Sequence, residues 1–172
     1  MNYSDIVEFH GHTCPGLAIG FRMSMAAMAV LGVTRSGDEE LVAVVENDAC
    51  GVDALQCITG CTFGKGNLLF RDFGKSVYTL YSRSSSRGVR VAYNAQDLPG
   101  GLREDKPAFI NYLLECPDQA ILTISEATEP PPKPARIRNS VICQICNEPV
   151  MDTRLRDIDG QAVCMPCAES IT

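Results

Sequence analysis

Four cysteines near the carboxy terminus constrain this chain more than any other feature: Cys143-Gln-Ile-Cys146 is followed, after 17 intervening residues, by Cys164-Met-Pro-Cys167. Cysteines three positions apart bring both sulfurs onto one ion through a tight turn, and two such pairs make a tetrahedral four-cysteine zinc site. Four thiolates leave that ion no open position, so the predicted zinc is structural. A redox-active pair or an iron–sulfur cluster is the alternative for the same spacing. About 30 residues bury too little surface to fold alone, and metal binding supplies the missing free energy. Asp159-Gly160 is the predicted turn between the knuckles, and the last pair leads into a short terminal helix.

A length of 172 residues leaves room for one larger domain before this module. Glu129-Pro130-Pro131-Pro132-Lys133-Pro134 marks the break, because prolines lack N–H donors and favour an extended, semi-rigid chain. The predicted organisation is a core over 1–128, a linker over 129–138 and a four-cysteine zinc finger over 139–172. The net charge of −6 falls entirely before residue 132, and the remainder is balanced, so neither part has the basic excess that phosphate-backbone binding requires. With no Trp and only 6% aromatic residues, stacking platforms for single strands are also disfavoured. No nucleic-acid partner is expected.

Met1 to Phe9 carries Asp5 and Glu8 where a secretory signal would be apolar, which points to the cytoplasm. The apolar stretch from Cys14 to Val33 includes Arg22, Ser24 and three glycines, and reads as a buried helix and not a membrane span. Nine cysteines in a chain kept in a reducing compartment argue for metal ligation or thiol chemistry over disulfides.

In the core, Thr13 and Pro15 predict the start of a helix that runs to Leu31 and stops at Gly32. Leu41 to Val45 reads as a buried strand, and Asn47 or Asp48 as the cap of a helix from about Cys50 to Gly60. The glycine-rich stretch from Cys61 to Leu68 reads as an exposed turn. Val77 to Arg83 and Val89 to Tyr93 form a predicted hairpin, Glu104 to Glu115 a helix, and Ala120 to Ser125 a returning strand. Without regular βαβ spacing the class is α+β, a mixed sheet packed with helices.

His10 and His12, the only histidines, stand within four residues of Cys14. An extended His-x-His-x-Cys run would project all three to one side, with Cys14 beside a helix start that favours a thiolate. Metal ligation or thiol catalysis is the expectation. Cys50, Cys57 and Cys61 lie near one helical face by spacing, and Glu46 and Asp48 precede that helix as candidate bases. Cys116, alone before a proline, reads as structural. Two motifs fail: Gly60-Cys-Thr-Phe-Gly64-Lys65-Gly66 is one residue short of a phosphate loop and lacks its Ser or Thr, and His12 is too near Cys14 for a protease pair.

Three segments in order, His10-Gly-His12-Thr-Cys14-Pro15-Gly16, Glu46-Asn-Asp-Ala-Cys50-Gly-Val-Asp53-Ala54-Leu55-Gln56 and Thr59-Gly60-Cys61-Thr62-Phe63-Gly64-Lys65-Gly66-Asn67-Leu68, resemble the family of the formylmethanofuran dehydrogenase E chain. The four-cysteine tail resembles the zinc finger many members append. The resemblance implies an α+β core, a homodimer and a metal-binding cleft near the His-Cys segment, with His10, His12, Cys14, Cys50, Asp53, Gln56, Cys61 and Lys65 at the family's pattern positions; Cys57 falls outside it. The family name comes from a tungsten or molybdenum complex that reduces carbon dioxide onto methanofuran.

The resulting expectation is a metal-binding accessory of redox metabolism, associated with a larger enzyme complex. Its core ligands are drawn from His10, His12, Cys14, Cys50 and Cys61, holding zinc or another transition metal, and the tail holds structural zinc. The alternative is a stand-alone metal-dependent enzyme with Cys14, Asp53 and Lys65 as catalytic candidates and an anionic substrate or pterin-like cofactor at the Lys65 loop.

Overall fold

The computed structural model describes residues 1–96 and 98–171, so the last position of the tail module, Thr172, lies outside the described residues. The chain divides into two compact units, Met1–Ala135 and Arg136–Thr172.

The first unit has an α+β architecture. Its sheet has the order β2-β1-β3-β4-β5, formed by β1 (Leu41–Val45), β2 (Leu68–Phe70), β3 (Val77–Ser82), β4 (Arg87–Tyr93) and β5 (Leu122–Glu126). β1 pairs parallel with β2, and every other pairing is antiparallel, so the sheet is mixed. Residues of β1 alternate between the two faces. Leu41, Ala43 and Val45 meet the main core, while Val42 and Val44 join Tyr81 in a second cluster.

The helices are α1 (Tyr3–His10), α2 (Pro15–Leu31), α3 (Gly51–Thr59), α4 (Lys106–Glu115) and α5 (Asp118–Ile121). The all-round apolar sequence of α2 follows from its central position: Leu17, Ala18, Met23 and Ala27 are buried in the main core. Arg22, an outlier in that sequence, donates to the carbonyls of Leu113 at 2.5 Å and Cys116 at 2.6 Å and to Asp118 at 2.6 Å. It satisfies carbonyls that α4 leaves free at its end. No helix among the described residues is long and apolar enough to cross a membrane.

Several local expectations change in the folded chain. The N-cap of α2 is Cys14, whose Sγ accepts from Leu17 N at 3.3 Å, while Thr13 Oγ1 is hydrogen-bonded to Tyr3 Oη at 2.9 Å. Asp48 does not cap α3; the N-cap is Cys50, with no side-chain cap bond, and Asn47 Oδ1 accepts from Ala49 N at 3.3 Å before the helix begins. Glu46 points away from that helix and pairs with Arg90 at 3.9 Å. α1 and β2 lie outside the sequence expectation, although α1 has a readable start in the reciprocal Asn2/Asp5 capping box.

The proline run belongs to the first unit. Arg83 Nη1 donates to Pro132 O at 2.5 Å, Ala135 N donates to Glu39 Oε2 at 3.0 Å, and Ala127 packs with Val42, Val44 and Tyr81. Proline carbonyls remain strong acceptors, so a segment unable to donate is still anchored by an arginine.

Ser36 Oγ and Asp38 N donate to Glu40 Oε2 at 2.6 and 2.8 Å, which holds the Glu40 carboxyl down to about 2. A depressed carboxylate contributes stability above its unfolded pKa and loses it as pH falls through the folded one. The difference in urea midpoint between the native chain and Glu40→Gln is therefore expected to be full at neutral pH and to fade from about pH 5 toward pH 2. A difference that grows on acidification would contradict this.

The second unit carries β6 (Ser140–Ile142) paired with β7 (Pro149–Met151), a 3-10 turn at Asp152–Arg154, β8 (Leu155–Ile158) paired with β9 (Gln161–Cys164), and α6 (Met165–Ser170). Asp159 and Gly160 have φ of 51° and 80°, the left-handed pair that a two-residue hairpin turn requires.

Candidate metal centre

α2 and α3 meet through glycines. A Cβ on Gly20 would lie 2.2 Å from Gly51 O and 2.3 Å from Gly51 Cα, and one on Gly51 would lie 2.9 Å from Gly16 O. Backbone on backbone is the closest approach two helices make, and it sets their amino-terminal ends side by side. Cys14 and Cys50 are the N-caps of those helices, so both thiols sit at positive dipole ends.

The third participant arrives from the opposite kind of helix end. α1 finishes at His10, and Gly11, left-handed at φ 91°, reverses the chain. His10 Nδ1 lies 2.7 Å from Asp53 Oδ2, and Asp53 Oδ1 accepts from Gln56 Nε2 at 3.2 Å. With Nδ1–H donated to the carboxylate, Nε2 carries the lone pair; that atom is buried and has no hydrogen-bond partner among the described residues. A buried unsatisfied nitrogen costs roughly 1–3 kcal/mol unless something binds it.

One ligand atom from each of His10, Cys14 and Cys50 lies within 4.8 Å of the others. Zinc bonds of about 2.0–2.3 Å imply tetrahedral edges of roughly 3.3–3.8 Å, so a small contraction closes these three around one ion. The carboxylate behind the imidazole is the usual orienting partner of a metal-bound histidine. Burial, and then the adjacent Cys14 thiol, push the Cys50 thiol up. A cation would relieve that opposition. Behind the group, burial followed by Asp53 and Cys50 raises the Tyr78 phenol, which stays neutral.

His10, Cys50 and Asp53 also line a cavity of about 410 Å³, with Val52, Phe63 and Phe70 among its apolar walls. Three protein ligands beside an open cavity are the pattern of a centre that keeps a coordination position for another molecule.

Other candidates lie elsewhere. His12 is exposed, its ring centroid 4.6 Å from that of His10, and it is outside the group, because the end of α1 and the Gly11 reversal replace the expected extended run. Cys57 and Cys61 are buried away from it. Seven helical residues carry Cys57 about 10 Å along the axis from Cys50, so sharing a face does not bring it to an ion at the helix start. Burial pushes both thiols up. Lys65 Nζ donates to the carbonyls of Asp38 at 3.1 Å and Gly37 at 3.4 Å, which braces the loop and leaves the ammonium outside the cavity lining. Cys116 is buried, with Sγ 3.9 Å from Leu113 O. Phe63, next to Gly64, and Phe70, at the end of β2, were not legible as cavity walls.

In the tail the Sγ atoms of Cys143, Cys146, Cys164 and Cys167 all lie within 4.8 Å of one another. Backbone N–H groups of Cys164, Cys146 and Ile145 hold the Cys143 thiol down to about 6, while the Cys164 thiol, first among several causes, pushes Cys167 up to about 12. Turn amides thus prepare one thiolate, and a cation is needed for the rest.

An α+β core followed by a four-cysteine zinc finger defines a metal-binding protein of two units. Residues 9–126 match the family described as FmdE, Molybdenum formylmethanofuran dehydrogenase operon, and residues 136–172 match the prokaryotic dksA/traR C4-type zinc finger. The chain belongs to the FmdE family. It is 32% identical over 192 residues to a probable S-adenosyl-L-methionine-binding protein of Archaeoglobus fulgidus, a match covering 95% of this chain and 51% of that protein. The chain thus spans about half the length of that curated relative. A tungsten formylmethanofuran dehydrogenase FmdE-like protein from Syntrophus aciditrophicus shares the fold, with a TM-score of 0.71 at 24% identity over 99% of this chain and 94% of that one.

Proposed function

We propose that this protein is a metal-binding accessory of molybdenum- or tungsten-dependent redox metabolism, with an exchangeable ion at His10, Cys14 and Cys50 and a structural zinc in the tail. The observation that carries the core site is the buried, unpartnered Nε2 of His10 beside two thiols, with Nδ1 fixed by Asp53. A bound ion would supply Lewis acidity at a cavity-facing position. The protein's own contribution is to hold the imidazole in one tautomer, to present the thiols at helix starts, and to line the approach with apolar side chains. A homodimer and docking onto a larger enzyme complex in the cytoplasm belong to the same proposal.

A second reading, a stand-alone enzyme, is favoured by the 410 Å³ cavity next to the ligand group. The name of the Archaeoglobus fulgidus relative makes S-adenosylmethionine a candidate occupant.

Metal analysis of the purified chain is expected to find about two ions, one resisting mild chelation and one exchanging. Cys14→Ser should remove only the exchangeable ion, because serine is itself a good N-cap and preserves the start of α2. A single ion that disappears when the residues after Pro134 are deleted would defeat the core site.

A further inference from the structure

Side chains on the sheet face turned away from the main core surround a second cavity, of about 110 Å³. Register brings them together: Val44 stands opposite Thr79, Thr79 opposite Arg90, and Glu46 follows Val44 by two residues on the same side. Tyr81, two residues after Thr79, shares this wall, and Ala127 to Glu129, just beyond β5, form the facing one.

The inner wall is short of hydrogen-bond partners. Arg90 and Glu46 approach to 3.9 Å, an ion pair too long for a hydrogen bond, although only 13% of the Glu46 side chain is exposed. Neither side chain has a hydrogen bond among the described residues, and the same holds for Thr79 Oγ1 and Tyr81 Oη, on residues 8% and 5% exposed. Buried polar groups are ordinarily paired. A carboxylate offers about four lone-pair sites and a guanidinium five N–H groups, so one loose contact leaves most of both unused. The mouth is different: Arg71 turns both terminal nitrogens to Glu129 Oε2, at 3.2 and 3.3 Å, and that pair satisfies itself. Burial first, and then Glu129, push the Tyr81 phenol up against the pull of Arg71, so it stays a neutral donor.

One positive and one negative group thus stand side by side with spare capacity. An anion alone would be repelled by Glu46 and a cation alone by Arg90, while a molecule carrying both charges answers each. At about 30 Å³ per water the cavity has room for roughly three or four waters, which is too small for a nucleoside. We infer that this cavity binds a small zwitterion, an α-amino acid of glycine to alanine size, with its carboxylate on Arg90 and the Thr79 and Tyr81 hydroxyls and its ammonium on Glu46. The site is separate from the metal group, which opens on the other face of the sheet beside Val45 and Leu68.

An amide-resolved NMR titration of the full chain at low salt tests this with L-alanine, propionate and ethylamine, which share a carbon body and differ in charge. Alanine is expected to bind saturably, with shifts centred on Val44, Thr79 and Arg90, and about tenfold more tightly than either singly charged probe. L-Phenylalanine, the same zwitterion on a body too large for the cavity, should bind about tenfold more weakly than alanine or worse. Glu46→Gln should erase alanine's margin over propionate, and Arg90→Gln its margin over ethylamine. The probe series on the native chain decides the matter without either variant, should one of them unfold. Propionate, ethylamine or phenylalanine binding as tightly as alanine, shifts centred on residues 47–53 instead, or no saturable binding of alanine overturns the inference, as does alanine binding that both folded variants leave unchanged.

Discussion

Replacing Gly20 with alanine is expected to lower stability by about 3 kcal/mol and to remove the exchangeable metal while leaving the tail's ion in place. Two effects of opposite sign compete at this position. Gly20 lies inside α2, where alanine is favoured over glycine by about 1 kcal/mol through propensity alone. Against this, the new Cβ would stand 2.2 Å from Gly51 O and 2.3 Å from Gly51 Cα, and backbone atoms cannot move aside as a flexible side chain can. The helices must separate, and Cys14 and Cys50 separate with them. Urea unfolding and metal content of Gly20→Ala, beside Gly64→Ala as a control with open space around it, check both parts. Equal behaviour of the two variants would show that the glycine contact does not hold the thiols together.

Stripping zinc from the tail should unfold residues 140–170 outright. The buried cluster there comprises Cys143, Val163, Cys164 and Ala168, so two of its four members are themselves ligands. Burying the remainder yields a few kcal/mol at about 25 cal/mol per Å². That is too little to order the module, and binding of the ion supplies what is missing. Amide exchange on the full chain is expected to show tail protection collapsing on strong chelation, or in Cys143→Ser, while β1 and β3 remain protected. Tail protection that survives a metal-free preparation would mean the hairpins fold without the ion.

The two centres differ in how much of each was legible along the chain. The tail cysteines are local: each pair spans one turn, and the positive-φ Asp159-Gly160 pair that joins β8 to β9 announces itself by residue type. The α2 limits at Pro15 and Leu31, the buried β1 strand and the β3–β4 hairpin follow from periodicity and from glycine and proline signals of the same short range. The core group was legible only as a neighbourhood. His10 and Cys14 belong to it, yet His12 does not, because a helix end and a left-handed glycine replace the extended run that the alternation suggested. Cys61 follows another left-handed glycine, Gly60 at φ 74°, which takes the chain off the helical phase relating it to Cys50 and Cys57.

Sequence alone determined the class of the fold, the family and the four tail ligands, because those depend on residue types within a turn or two of one another. Tertiary structure alone decided which imidazole nitrogen is left unpaired, which two of the core cysteines meet, and that a cavity opens beside them. Those outcomes join positions such as Cys14 and Cys50, far apart along the chain, through a helix contact that closes only because neither Gly20 nor Gly51 has a side chain. No local preference encodes such a meeting; it exists only when both helices have docked.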